Sequence, residues 1–119
     1  MLHGSCHCGA IRIAVESIPG YLIDCNCSIC RRYGALWGLY QSEAIKFSGP
    51  LDQLTAYIWG KRSIRTLHCK VCGCVTHWEP ITVDAGSKFG INMRNFESDA
   101  IRRVAIRKFD GENCWSYSE

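Results

Sequence analysis

The sequence predicts a mainly β fold with little helix, in which cysteines that are distant in the chain share a metal site. Short segments of β-branched and aromatic residues recur at intervals of roughly 8–12 residues, as in an antiparallel β domain. Nine cysteines among 119 residues are more than a small core uses as packing residues. A chain of this length is expected to form a single domain over residues 1–119.

The first predicted strand is the clearest one. Ile11, Ile13 and Val15 alternate with polar or small residues, which is typical of a strand with one buried face. Pro19 and Gly20 then predict a turn. Further short apolar segments, most of them bounded by turn residues, predict the other strands. They cover residues 21–24, 44–47, 54–59, 64–68, 75–79, 89–92 and 104–109.

Helix signals are confined to one place. Ser28 could begin a short helix that ends near Gly34. Near the C-terminus, Asp110 and Gly111 are a hairpin-turn signal. Because several cations lie in residues 101–109, the strand there is expected to face solvent or to form a sheet edge.

All but one of the cysteines fall into three clusters. The clusters are Cys6 and Cys8; Cys25, Cys27 and Cys30; and Cys69, Cys72 and Cys74. Cys114 stands alone and is expected to be an unligated thiol. An odd number of cysteines suits a disulfide framework poorly. Since neither a signal peptide nor a membrane-length apolar run is visible, we expect a cytoplasmic protein with reduced thiols and no membrane contact.

The first and third clusters are predicted to share a closed structural zinc site, with Cys6, Cys8, Cys69 and Cys72 as ligands. Close pairs of thiolates within one tight turn suit a tetrahedral zinc ion. Gly9 and Gly73 each follow the second cysteine of a pair, where a positive φ helps the chain to reverse. Such a site would stabilise a domain with a modest core. Buried free thiols, the alternative interpretation, explain one or two cysteines but not eight clustered ones.

Cys25, Cys27 and Cys30 are predicted to form a second zinc site. Three protein thiolates and an open fourth position are typical of a catalytic zinc ion, which can bind water, hydroxide or a substrate thiolate there. The alternative is a second closed site in which Cys74 supplies the fourth sulfur. Histidines near the clusters are weaker ligand candidates, because a lone histidine there is more often a supporting or surface group. They are His7, His68 and His77.

Arg31 and Arg32 directly follow the second cluster. Beside three thiolates they would offset negative charge, and they could hold a substrate carboxylate. The alternative is a solvated helix end, which cations also suit. Arg94 is a further candidate for steering an anionic substrate. Tyr33, Trp37 and Trp78 could line a pocket, although aromatic residues in strands usually pack in the core.

The stretches GSCHCGAIRIAVE, CNCSICRRYGALWG and HCKVCGC resemble the glutathione-dependent formaldehyde-activating enzyme family, which includes centromere protein V-like proteins. The resemblance spans positions 4 to about 78. It implies an Mss4-like β fold with a structural zinc ion on Cys6, Cys8, Cys69 and Cys72. A second zinc ion on Cys25, Cys27 and Cys30 is implied as well. It also implies a carbon–sulfur lyase activity, the reversible addition of formaldehyde to glutathione to give S-hydroxymethylglutathione.

The chain departs from the family pattern at a few positions. Asn26 stands where the family typically has histidine, Cys74 where serine is usual, and the residues from Ile91 onward differ from the usual ending. A non-catalytic zinc-binding structural or interaction module is the alternative function. The formal charge of +3 falls to zero when seven thiolates and two zinc ions are counted, so a small thiol is a better expected partner than nucleic acid.

Overall fold

Two β-sheets and two short helices make up the computed structural model, which describes residues 1–118. Its strands are β1 Leu2–Ser5, β2 Arg12–Val15, β3 Tyr21–Cys25, β4 Trp37–Gln41, β5 Ile45–Ser48, β6 Leu54–Tyr57, β7 Ile64–Cys69, β8 Val75–Pro80, β9 Lys88–Asn92, β10 Ala105–Asp110 and β11 Ser116–Tyr117. The helices are α1 Cys30–Tyr33 and α2 Ser98–Ile101, and single 3-10 turns cover Ser42–Ala44, Leu51–Gln53 and Met93–Asn95.

The smaller sheet has the strand order β1-β2-β5 and the larger one the order β11-β10-β3-β4-β9-β8-β7-β6. The predicted mainly β fold is confirmed, and its strand pairs are antiparallel with one exception. The exception is β10, which runs parallel to β3 with Phe109 opposite Cys25. The cation-rich segment over residues 101–109, expected to face solvent or to form a sheet edge, forms β10 from Ala105 onward with exposed or half-buried side chains. The two-residue strand β11 pairs only with Phe109 and Asp110, so the first part of β10 lies at the sheet edge.

Besides the two-residue strand β11, three elements had no sequence prediction. The first is β1, whose residues show no alternation of buried and exposed positions. The second is β4, which is buried on both faces for most of its length and therefore lacks the period-two pattern. The third is α2, whose N-cap residue Glu97 makes no side-chain capping bond. Each of them forms because of packing in the folded protein and not because of a local signal.

The two faces of the larger sheet carry different clusters of buried residues. One face packs against the smaller sheet, because Leu22 and Ile91 join Ile13 and Val15 of β2 in one core. The neighbouring residue Ile23 points to the opposite face, since successive side chains of a strand alternate. Residues on that second face are Ile23, Cys25, Cys27, Ala35 and Trp37. The middle cysteine cluster is therefore separated from the main core by the sheet itself.

The helices are short throughout the described part of the chain. No helix within residues 1–118 is long and apolar enough to cross a membrane. Of the two, α1 matters for the cysteines: it begins at Cys30 and ends at Gly34, whose φ of 66° closes it, as predicted from the glycine at that position.

Candidate metal centres

Four sulfur atoms from the first and third cysteine clusters come together in the fold. The sulfurs of Cys6, Cys8, Cys69 and Cys72 all lie within 4.8 Å of one another. The Cys6–Cys8 and Cys8–Cys69 sulfur pairs are 3.6 and 3.7 Å apart. Four sulfurs at metal–sulfur distances of about 2.3 Å around a tetrahedral ion would be spaced in this way. This group could hold a metal ion.

Two similar turns build this four-sulfur group. Gly9 and Gly73 have φ values of 81° and 80°, a conformation that favours glycine. The N–H of Gly9 donates to the carbonyl of Cys6 at 3.0 Å, and the N–H of Gly73 donates to that of Cys69 at 2.8 Å. Each turn presents one buried cysteine, at 1% and 0% exposure for Cys6 and Cys69, and one nearer to solvent. The turn geometry agrees with the positive φ predicted at both glycines.

Cys74 lies against the first group and not against the second. Its side chain packs beside the buried Cys6 and Cys69. Its carbonyl accepts the N–H of Cys69 at 3.0 Å. Cys74 is therefore in no position to complete the middle cluster, which was the alternative left open by the sequence.

Cys25, Cys27 and Cys30 form the second group, with all three sulfurs within 4.8 Å of one another. The turn between β3 and α1 brings them together, since Cys25 ends the strand and Cys30 begins the helix. The N–H of Cys27 donates to the Cys25 sulfur at 3.5 Å, and the N–H of Cys30 donates to the Cys27 sulfur at 3.4 Å. Such donors stabilise negative charge on sulfur.

The middle cluster forms a thiolate more easily than an isolated cysteine does. A hydrogen bond from Cys30 lowers the pKa of Cys25 to about 6, although burial opposes this, and the backbone N–H groups of Cys27 and Gly111 add to the effect. The same hydrogen bond with Cys25, together with burial, raises the pKa of Cys30. Charge therefore appears first on the Cys25 sulfur, in a cluster whose all-sulfur donors suit a soft metal ion.

Within residues 1–118 no histidine, carboxylate or further cysteine joins the middle group as a fourth ligand. A metal ion bound there would therefore keep one position for a ligand from outside the protein. In metalloproteins this arrangement is found at catalytic sites, whereas four protein ligands are found at structural ones. The two cysteine groups of this chain thus differ in what they could do.

Aromatic side chains surround the middle group. Trp37 is buried in the same cluster as Cys25 and Cys27, and Tyr33 and Trp78 pack against it. The rings of Trp37 and Trp78 meet edge to face, with centroids 6.5 Å apart. The three aromatic residues that the sequence suggested as pocket lining therefore all lie around this group. They limit the access of water to its inner side.

The three candidate arginines lie around α1, and all of them are exposed. The guanidinium of Arg32 donates to the carbonyl of Ser28 at 2.6 Å, and that of Arg94 donates to the carbonyl of Gly34 at 2.7 Å. Arg31 lies on the same short helix. These cations place positive charge on and beside α1, next to the middle group.

The three histidines belong to neither sulfur group. His7 is exposed and His68 half-buried. His77 is buried, hydrogen-bonded to Thr76 at 2.8 Å and to Glu79 at 3.2 Å, and its ring stacks on Phe47. His77 is therefore a core residue between the two sheets. Cys114 also lies outside both groups, with its sulfur 3.0 Å from the hydroxyl of Ser116.

The loop between β10 and β11 is part of the second site and had no functional prediction. The Asn26 side-chain amide donates to Asp110 at 3.2 Å, and its oxygen accepts the N–H of Glu112 at 3.0 Å. Hydrogen bonds from the N–H of Asn113 and from Asn26 lower the pKa of Asp110. The turn signal at Asp110 was visible in the sequence, but its partner Asn26 was not, because the two are joined only by the parallel pairing of β10 with β3.

Gly111 brings this loop directly against the thiols. A β-carbon at this position would lie 2.9 Å from the Cys25 sulfur and 3.0 Å from the β-carbon of Cys27. We expect Gly111→Ala to displace Cys25 and to destabilise the fold by roughly 1–3 kcal/mol, as overpacking does. Metal analysis should show loss from the middle group and retention at the four-sulfur group.

Gly20→Ala is the matched control for this substitution. A β-carbon at Gly20 would meet nothing within 4 Å, so this variant should bind metal and unfold like the original protein. Full metal content in Gly111→Ala would show that the loop does not press on the thiols.

The chain is similar to known proteins over most of its length. A protein-family model described as glutathione-dependent formaldehyde-activating enzyme matches residues 1–107. The chain belongs to this family. The match extends the family relationship beyond the cysteine motifs to β9, α2 and part of β10, and it confirms the family that the motifs indicated.

Two individual proteins are similar to this family member. A Halomonas elongata protein, provisionally named as a glutathione-dependent formaldehyde-activating enzyme, is 43% identical over 58 residues, which are 48% of this chain and 34% of that protein. The alignment thus spans about one third of that relative. A crystal structure of a Rhodobacter sphaeroides protein has a TM-score of 0.73 at 29% identity and covers 88% of this chain and 99% of that one. The fold is therefore shared almost throughout.

Proposed function

We propose that this family member is a zinc-dependent enzyme of the carbon–sulfur lyase type that adds formaldehyde reversibly to glutathione or a similar small thiol. The observation that carries the proposal is the three-sulfur group with an open fourth position, in a chain that belongs to this family. In the forward reaction the thiol sulfur forms a bond to the carbonyl carbon, and the thiol proton ends on the former carbonyl oxygen. No oxidant or reductant is needed.

We assign two zinc ions to the chain. Cys6, Cys8, Cys69 and Cys72 would hold the structural ion, and Cys25, Cys27 and Cys30 the second one. Both groups fit zinc, because their sulfurs are close together and thiolates are preferred zinc ligands. A zinc ion at the second site supplies Lewis acidity and favours the thiolate form of a thiol that binds it.

The protein itself contributes position and environment to this reaction. A metal ion on the three cysteines would have its fourth side free of ligands from the described part of the chain, and Trp37 is buried against the group with Tyr33 and Trp78 partly buried beside it. A substrate thiol that binds on this free side would lie where few water molecules are present. Its electrostatic interaction with the metal ion would be stronger there than in open solvent. A small aldehyde needs only to approach the sulfur, so no large pocket is required.

Direct measurement of formaldehyde exchange tests the proposal. The zinc-loaded protein should accelerate the exchange of carbon-13-labelled formaldehyde between its free form and its glutathione adduct, as measured by NMR exchange spectroscopy. A chelator that removes the second zinc ion should return the rate to that of the uncatalysed reaction. An unchanged rate with both sites loaded would contradict the proposal and leave a non-catalytic zinc-binding module as the function.

Arg31 and Arg32 are proposed to attract the carboxylates of glutathione. Replacing both by glutamine should raise KM for glutathione by about 3–10-fold, since exposed charge interactions contribute up to about 1 kcal/mol. The KM for 2-mercaptoethanol, a thiol that carries no carboxylate, should stay unchanged in the same variant. Equal changes for both thiols would show that these arginines do not select the substrate.

A further inference from the structure

We propose that the indole N–H of Trp37 is the hydrogen-bond donor to the Cys30 sulfur when the second site holds its metal ion. Trp37 would then be a positioning residue that orients Cys30 and raises the metal affinity of this site. The inference rests on the proposed function only in requiring that Cys25, Cys27 and Cys30 bind metal.

The first observation is an unsatisfied donor in the interior. The Trp37 side chain is only 2% exposed, and its Nε1 atom is buried with no hydrogen-bond partner. Within residues 1–118 the only other buried side-chain nitrogen or oxygen in this condition is Arg65 Nε. Buried polar groups are almost always hydrogen-bonded, so an exception needs a physical explanation.

The second observation is where this donor lies. Trp37 packs in the cluster that contains Cys25 and Cys27, and Cys30 packs against the same cluster. Backbone N–H groups donate to the sulfurs of Cys25 and Cys27 at 3.5 and 3.4 Å, whereas within residues 1–118 none donates to the sulfur of Cys30. The Cys30 sulfur is therefore the ligand of this cluster that still lacks a donor, and the Trp37 indole is the donor in the same cluster that lacks an acceptor.

The backbone holds the indole in this place. Trp37 begins β4 and is paired on both sides, with Ile23 of β3 and Asn92 of β9. The Trp78 ring packs edge to face against it. The hydroxyl of Tyr33, a neighbouring polar group, is already bound to Thr66 at 2.8 Å and so needs no partner at the cluster.

Metal binding would complete the hydrogen bond. A thiolate is a much better acceptor than a thiol, and hydrogen bonds to charged acceptors are shorter and stronger. When Cys30 binds the metal ion as a thiolate, the Trp37 indole N–H would gain the hydrogen-bond acceptor that it lacks. Hydrogen bonds to metal ligands orient them, and losing one typically lowers metal affinity by 10–100-fold.

Trp37→Phe tests this directly, because it keeps an aromatic ring and removes the N–H. We expect the zinc affinity of the second site to fall by about 10-fold or more in chelator competition, with the four-sulfur site unaffected. Trp59→Phe is the matched control: it makes the same change at an exposed position outside this cluster, and its affinity should stay within about twofold of the original.

A spectroscopic measurement on the unaltered protein makes the test independent of how the variant folds. With nitrogen-15-labelled tryptophan and assigned indole resonances, the Trp37 N–H proton should shift downfield when the second site is filled, and the proton of the exposed Trp59 should not. An unmoved Trp37 resonance, or equal affinities of Trp37→Phe and the original protein, would overturn the inference.

The same titration separates this inference from the proposed function. If the second site takes up no metal, both fail together. If it takes up metal and accelerates formaldehyde exchange while Trp37 shows neither effect, only the role of Trp37 is wrong.

Discussion

Cys69→Ser is expected to release the metal from the four-sulfur group and to leave the protein largely unfolded at physiological temperature. Cys69 is fully buried and links the end of β7 to the Cys6–Cys8 turn, with its sulfur 3.7 Å from that of Cys8. Structural zinc sites contribute folding free energy directly. We expect a loss of about 5 kcal/mol or more, which is comparable to the whole stability of a small domain. Thermal unfolding and elemental analysis measure the two effects.

Cys74→Ser provides the control for that substitution. Cys74 is a neighbouring thiol that packs beside the same cluster but stands outside the four-sulfur group. This variant should keep its metal content and unfold within a few degrees of the original protein. If Cys74→Ser were as damaging as Cys69→Ser, the assignment of the structural ligands would be wrong.

Cys30→Ser is expected to abolish catalysis while the fold remains. With only two protein sulfurs left, the second site should lose its metal, because zinc sites need at least three protein ligands to bind firmly. The four-sulfur group and the main core lie elsewhere in the fold. The free energy of unfolding should therefore fall by only about 1–2 kcal/mol. Formaldehyde exchange should fall to the uncatalysed rate, and metal content should fall from two ions per chain to one.

Cys74→Ser is also the matched variant for this experiment. Cys74 lies outside both sulfur groups and packs beside the four-sulfur group, away from the middle one. It should retain both metal ions and full exchange activity. A Cys30→Ser protein that still accelerates exchange would contradict the assignment of the reaction to this site.

Local signals were sufficient for the four-sulfur group. Each of its two turns needs only a pair of cysteines and a glycine that accepts positive φ, at Gly9 and Gly73, and both signals lie within a few residues of sequence. The same is true of β2, whose alternating residues Ile13 and Val15 have one side to bury. Elements with such local requirements could be predicted because the residues that form them are neighbours in the chain.

The second site could be predicted only in part. The spacing of Cys25, Cys27 and Cys30 predicted a three-thiol group, which the structure assembles. Of its surroundings, the aromatic residues were named as candidates, but Gly111 was not, because it reaches the group through the pairing of β3 with β10. The hydrophobic pattern within one strand does not indicate which other strand pairs with it.

The sequence by itself determined the family, the mainly β class and the identity of the two sulfur groups, since these depend on residue types and short spacings. Only the tertiary structure decided that Cys74 belongs beside the first group, which leaves the second with three sulfurs. It also decided that the Trp37 donor is buried without a partner next to them. Both outcomes depend on contacts between segments far apart in the chain, whose positions are set by packing of the whole sheet.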